Sequence, residues 1–258
     1  MFPYFTFLGQ TYQLFALLGL LALFVASGVA YIRAHKMGLS YFDMLMGIIF
    51  LGVGLAIGGS ILHALVNIPV VWSNQIYLFD APFLFLRLAF GGLIFYGGLI
   101  GALIAMPLYA KYLKVDLSTL IVFIIPVFPL AHSIMRIGCF MAGCCYGIEH
   151  DRLGIAFTRS LSAPNGINLL PVQLFETIAN IFIFTALYQY TKRPRKPLYI
   201  LCFYGLSYAS IRFVLEFVRG DNVRGFIFLF STSQFISVFV VIICISALIY
   251  DKVLVQQE

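Results

Sequence analysis

Long apolar stretches alternate with short polar ones along the whole chain. The apolar runs fall at about residues 13–33, 44–66, 89–110, 117–136, 170–190, 198–218 and 228–250. Each is close to the ~20 residues an α-helix needs to cross ~30 Å of hydrocarbon. The pattern predicts an all-α integral membrane protein with about seven transmembrane helices. No internal repeat, linker or low-complexity segment interrupts it, so a single polytopic membrane domain over residues 1–258 is expected.

The polar stretches orient the runs. Arg33 and Lys36 follow the first run, Lys111 and Lys114 the third, and Lys192, Arg193, Arg195 and Lys196 the fifth. With Lys252 these make nine of the sixteen Lys and Arg residues. The positive-inside rule assigns those connections to the cytoplasmic face, with the N-terminus outside and the C-terminus inside. No Lys or Arg precedes Arg33. The positive segment of a cleavable signal peptide is therefore missing, and the first run is expected to stay as a span. The other connections face outward. One, residues 67–87, is aromatic with scattered polar groups and suits the headgroup level. The other, from about Gly138 to Leu169, carries Glu149, His150, Asp151, Arg152 and Arg159, and a site open to the outer face would be built there.

Composition closes off the soluble alternatives. The chain is 62% hydrophobic and 10% charged, with a mean hydropathy of +1.01, too little polar surface to coat a water-soluble globule. The net charge of +6 resides mostly in the short loops. The expected partner is therefore the lipid bilayer and not nucleic acid.

Charged residues within apolar runs are the informative ones, because each costs ~2.5–3.5 kcal/mol at a helix centre. Tyr208, Arg212 and Glu216 recur at steps of four, on one helix face, with Arg219 a turn beyond. Arg136 ends the fourth run one turn after His132, and Glu176 lies in the fifth close after Gln173. Two readings stay open. Arg212 and Glu216 form an i,i+4 pair that merely holds helices together, or the excess of arginine (Arg136, Arg212, Arg219) awaits an anion. In a bilayer that anion is a lipid phosphate, which the planar guanidinium binds through two N–H groups.

Glycines and cysteines carry weaker signals. Gly54 and Gly58, and Gly97 and Gly101, have the four-residue spacing of closely packed helices. Alternatively, Gly97 and Gly98 beside Tyr96 admit a bulky substrate. Cys139, Cys144 and Cys145 fall within seven residues. Their C-x4-C-C spacing is not that of a zinc site and no second cluster completes it, so packing or an occasional disulfide is expected, with no metal and no cofactor. Cys202 and Cys244 lie inside apolar runs as small hydrophobes.

Four ordered motifs give these residues a context: FYGGLIGALIA from Phe95, RIGCFMAGCCYG from Arg136, PVQLFE from Pro171 and YASIRFVLEFVR from Tyr208. Together they resemble the prolipoprotein diacylglyceryl transferases, seven-span enzymes of the bacterial inner membrane, from about Leu88 to the last run. The resemblance implies transfer of a diacylglyceryl group from phosphatidylglycerol to the thiol of the lipobox cysteine of a preprolipoprotein. A thioether forms and glycerol phosphate leaves. By motif position the resemblance implies roles for Arg136, Arg212, Tyr208, Glu216 and Gly147. With the residues read above, the expected catalytic set is Tyr96, Arg136, Arg212 and Glu216, and the expected substrate-binding set is Arg136, Arg212, Tyr208, Gly97, Gly98, Gly147 and Arg219. The chain departs from well-known members in two motifs. Tyr96 stands where they have histidine, and Cys139, Ala142 and Cys144 stand where they have asparagines and an acid. These departures leave open a relative that uses the same phospholipid site with a different thiol or hydroxyl acceptor. A lipid-binding protein or transporter without turnover is the remaining alternative.

Overall fold

The computed structural model describes residues 3–36, 40–73, 80, 82–83, 85–86, 94–221, 226–227 and 230–255. It is mostly helical. A small hairpin precedes the first helix. Strands β1 (Tyr4–Phe7) and β2 (Gln10–Gln13) pair antiparallel, with Phe5 opposite Tyr12 and Phe7 opposite Gln10. The two loop residues, Leu8 and Gly9, both take positive φ (50° and 77°). That is the backbone whose twist matches a two-residue hairpin turn.

The chain divides into two compact units, residues 31–120 in one and residues 1–30 with 121–258 in the other. The first contains α2 (Tyr41–Val66), the short α3 (Ile68–Ser73) and α4 (Phe95–Leu113). Helices α2 and α4 touch backbone to backbone. A Cβ on Gly58 would overlap the Gly97 carbonyl, and one on Gly101 would overlap the Gly54 carbonyl. Farther along the pair, Tyr109 is fully buried and donates its hydroxyl to the Asp43 carbonyl. Pro107 lies inside α4 without ending it.

The second unit holds most of α1 (Leu14–Lys36), α6 (Phe128–Ala142), α7 (Val172–Tyr190), α8 (Pro197–Leu215) and α9 (Thr232–Val255). The run expected as one span over 117–136 is broken. Helix α5 (Leu117–Ile124) and α6 meet at 48° across Ile125, Pro126 and Val127. Pro126 has no N–H with which to continue the helix. The break gives α6 its own start, with Pro129 near its N-terminus, and carries it to Ala142, so Arg136 lies within the helix and not at its end. Ile183, Leu187 and Ile200 form the core where α7 meets α8, joined by Val122, Tyr204 and Tyr208. Cys202 and Cys244 meet at the α8–α9 seam as buried free thiols.

Between α6 and α7 the chain makes a compact loop structure. Strands β3 (Ile155–Ala156) and β4 (Asn168–Leu169) pair, and Phe157, Ala163 and Leu169 form a small core with Phe140 and Tyr146. A further strand pair, β5 (Phe226–Ile227) and β6 (Phe230–Ser231), precedes α9.

Among the described residues four helices are long and apolar enough to cross a membrane: Leu14–His35, Tyr41–Val66, Pro197–Val218 and Thr232–Leu254. The bent pair makes five if it counts as one broken span. Seven were expected. The shortfall lies in two places. Residues 87–93, ahead of α4, are outside the described set, and α7 presents a polar stripe, Gln173, Glu176, Thr177 and Asn180, that lowers its hydropathy. Exposed Leu20, Phe24, Phe182 and Phe239 on the outer faces suit a lipid surround. Of the stretch expected at the headgroup level, residues 67–73, 80, 82–83 and 85–86 are described, with Ile68–Ser73 forming α3.

Candidate active site

Helical periodicity brings three polar stripes together in the second unit. On α6, His132 and Arg136 are four residues apart. On α7, Gln173, Glu176, Thr177 and Asn180 share one face, all buried. On α8, Tyr204, Tyr208 and Arg212 repeat at four, and Glu216 continues the row into a 3-10 turn, Glu216–Val218.

Glu176, only 2% exposed, is the hub. Its Oε1 forms an ion pair with Arg136 Nη2 at 2.9 Å and accepts a hydrogen bond from the Tyr208 hydroxyl at 2.9 Å, with His132 Nε2 at 3.7 Å. Its Oε2 lies 3.8 Å from Arg212 Nη1. A second carboxylate, Glu216, pairs through Oε2 with Arg212 Nη2 at 2.7 Å and Arg219 Nη1 at 3.7 Å. Arg212 also reaches Ser233 Oγ at 3.3 Å, in the first turn of α9. Arg219 is held side-on by Asp221, Nε to Oδ1 at 2.8 Å and Nη2 to Oδ2 at 2.5 Å.

This network corrects one expectation. Arginine is not in excess: three arginines face three carboxylates, because Glu176 and Asp221 complete the set begun by Glu216. The room for an anion shows in the donors. Arg136 Nε and Arg212 Nη1 are buried and make no hydrogen bond, a costly state for a guanidinium in a dry interior. Two guanidinium groups with unfilled donors, converging on one carboxylate, have the hydrogen-bonding capacity for further negative oxygen.

Gly147 sits where the α6–α7 loop crosses the chain after α8. Its N–H donates to the Leu170 carbonyl at 2.9 Å, and it bridges to Arg219. A Cβ there would meet Leu170 Cβ at 2.6 Å, and one on Gly220 would meet the Gly147 carbonyl carbon at 2.8 Å. The two glycines let these strands of chain touch, and that contact fixes Arg219.

A family model described as prolipoprotein diacylglyceryl transferase matches residues 3–250. The chain belongs to this family. It is 33% identical over 222 residues to a phosphatidylglycerol–prolipoprotein diacylglyceryl transferase of Clostridium tetani, covering 85% of each chain. It is 34% identical over 187 residues to the protein named transferase 2 of Clostridium perfringens, covering 72% of this chain and 70% of that one. A third relative with the transferase name, from Chlorobaculum tepidum, is 33% identical over 165 residues, 62% of this chain and 56% of its own. With its apolar helices, membership makes the protein a bacterial membrane enzyme, a diacylglyceryl transferase.

Six of the expected site residues, Arg136, Gly147, Tyr208, Arg212, Glu216 and Arg219, fall in this one region. Tyr96, Gly97 and Gly98 lie in the first turns of α4, in the other unit. Gly97 packs on the Gly58 carbonyl and Leu62, and Gly98 on Leu55, so both serve the α2–α4 contact. The Tyr96 side chain is outside the described set. The residue that sequence reasoning noticed and gave no role is Glu176. Its signal is the Gln173–Glu176–Asn180 stripe on an otherwise apolar helix.

Proposed function

We propose that the protein transfers a diacylglyceryl group from phosphatidylglycerol to the thiol of a lipobox cysteine in a preprolipoprotein. The observation that carries the reading is the pair of arginines, half-buried Arg136 and buried Arg212, converging on Glu176 with buried donors to spare. In the resting site Glu176 occupies the place of the anion. When phosphatidylglycerol enters from the bilayer, its phosphate takes over the guanidinium contacts. The sulfur attacks the glyceryl carbon, the carbon–oxygen bond to phosphate breaks, and its electron pair leaves on glycerol phosphate. The arginines act where charge grows on the leaving phosphate, so they favour the transition state over the ground state. A thiol of pKa ~8.5 must lose its proton to react well. Glu176, Glu216 and the phosphate oxygens are the acceptors this region offers.

The reading includes one polytopic domain of seven spans in the bacterial inner membrane, N-terminus outside and C-terminus cytoplasmic, with α4, the bent pair and α7 completing the count. It needs no cofactor. The experiment is product analysis. Purified protein, phosphatidylglycerol vesicles and a lipobox peptide should give a thioether-linked diacylglyceryl peptide and an equal amount of glycerol phosphate. Folded protein that yields neither, or that lipidates a hydroxyl in place of the cysteine, would overturn it.

A further inference from the structure

The fold assembles something that the C-x4-C-C spacing does not suggest. Helix α6 ends at Gly143, which takes φ +76°, and both Gly143 and Cys144 donate their N–H groups to the Cys139 carbonyl, at 2.9 and 3.1 Å. That closure stacks Cys144 against Cys139, with Cys144 Sγ 3.6 Å from the same carbonyl. Cys145 then adopts φ +60°, a left-handed conformation uncommon for a residue with a Cβ. The three Sγ atoms lie within 4.8 Å of one another. All three cysteines are free and partly buried.

We propose that Cys139, Cys144 and Cys145 form a binding site for a thiophilic closed-shell cation, zinc(II). A zinc–sulfur bond is ~2.3 Å, so three thiolates around one ion stand about 4 Å apart. The observed cluster reaches that with small side-chain adjustments. Thiolate is the ligand such an ion selects. Two further observations support it. The Arg136 guanidinium approaches Cys139 Sγ at 3.9 Å, placing positive charge against a ligand set that is negative when deprotonated. The surrounding chain is also pinned. Gln173 Nε2 donates to the Cys144 carbonyl at 2.7 Å, and Gly220 N–H to the Tyr146 carbonyl at 3.0 Å. Binding releases the thiol protons as zinc–sulfur bonds form, with no change of oxidation state. Among the described residues no fourth side chain joins the cluster. The fourth position of the ion is left to water, the arrangement of zinc sites that keep an exchangeable ligand.

The test uses the full chain in detergent, reduced and freed of metal. Cobalt(II), as a spectroscopic stand-in for zinc, should bind at one equivalent with a sulfur-to-cobalt charge-transfer band that zinc abolishes. The triple variant Cys139→Ser/Cys144→Ser/Cys145→Ser should lose the band, and Cys202→Ser/Cys244→Ser should keep it. Because the triple variant is at risk of misfolding, the deciding measurement is zinc-edge X-ray absorption on the unaltered protein. Three sulfur neighbours at ~2.3 Å are expected. Fewer than three sulfurs, no stoichiometric binding, or a disulfide among these cysteines in protein isolated without reductant would overturn the assignment.

Discussion

The two units are held by opposite means. In α2 and α4 cohesion comes from the absence of side chains: Gly54, Gly58, Gly97 and Gly101 let backbones meet, and dispersion between close surfaces does the rest. In α6, α7 and α8 it comes from charge, with buried Glu176, Arg212 and Glu216 joined by half-buried Arg136 and Tyr208. Replacing such a buried network by well-packed apolar residues is often neutral or stabilising. A membrane protein with a glycine interface available has no stability reason to draw three arginines into one network. On the proposed reading, the reason is the substrate phosphate.

Breaking each region should therefore fail differently. The largest effect is expected for Arg136→Ala and Arg212→Ala. Each strands a buried carboxylate at a cost of about 3–5 kcal/mol and removes a phosphate contact. Product formation should be lost even in the fraction that remains folded by size-exclusion chromatography. Arg→Lys at either site should also fail, since the ammonium cannot present two parallel N–H groups. Near-normal rates in both lysine variants would reduce the arginines to helix ties.

A smaller effect is expected from Gly101→Leu, which drives a side chain into the Gly54 carbonyl. Overpacking should destabilise by about 3 kcal/mol, seen as a lower melting temperature in detergent, with turnover per folded molecule unchanged. A stable variant with depressed turnover would mean that the glycine pair belongs to the chemistry.

Tyr208→Phe should do least. It removes one hydrogen bond to Glu176, which keeps Arg136 and, at longer range, His132 and Arg212. At about 1.5 kcal/mol this amounts to roughly a tenfold loss in kcat/KM. A loss as complete as that of the arginine variants would put the phenol in contact with the reacting atoms.

The comparison also marks what the sequence could disclose. Arg212 and Glu216 were legible as partners because they sit four apart on one helix. Arg136 and Glu176 were not, since they are on different helices and nothing in linear spacing says which faces meet. Counting charges run by run therefore left arginine in excess, where the folded chain balances it. Apolar length located the described helices well, for hydropathy reads burial in lipid directly. It ran straight through Pro126, which breaks a span, although Pro107 does not break α4. Hydropathy registers neither the missing N–H nor the neighbours that compensate for it. Spacing along the chain also does not disclose that the Cys139, Cys144 and Cys145 Sγ atoms lie within 4.8 Å of one another. A helix end closing at Gly143 brings them together.

The central claim is that Glu176 holds the anion position that substrate phosphate takes over. Calorimetric titration of glycerol phosphate into the purified protein tests it most directly, comparing Glu176→Gln with the parent. The amide keeps the size of the carboxylate and removes the competing charge, so Glu176→Gln should bind glycerol phosphate several-fold tighter, with binding lost again when Arg136→Ala is added. Equal or weaker binding by a folded Glu176→Gln protein would contradict the account.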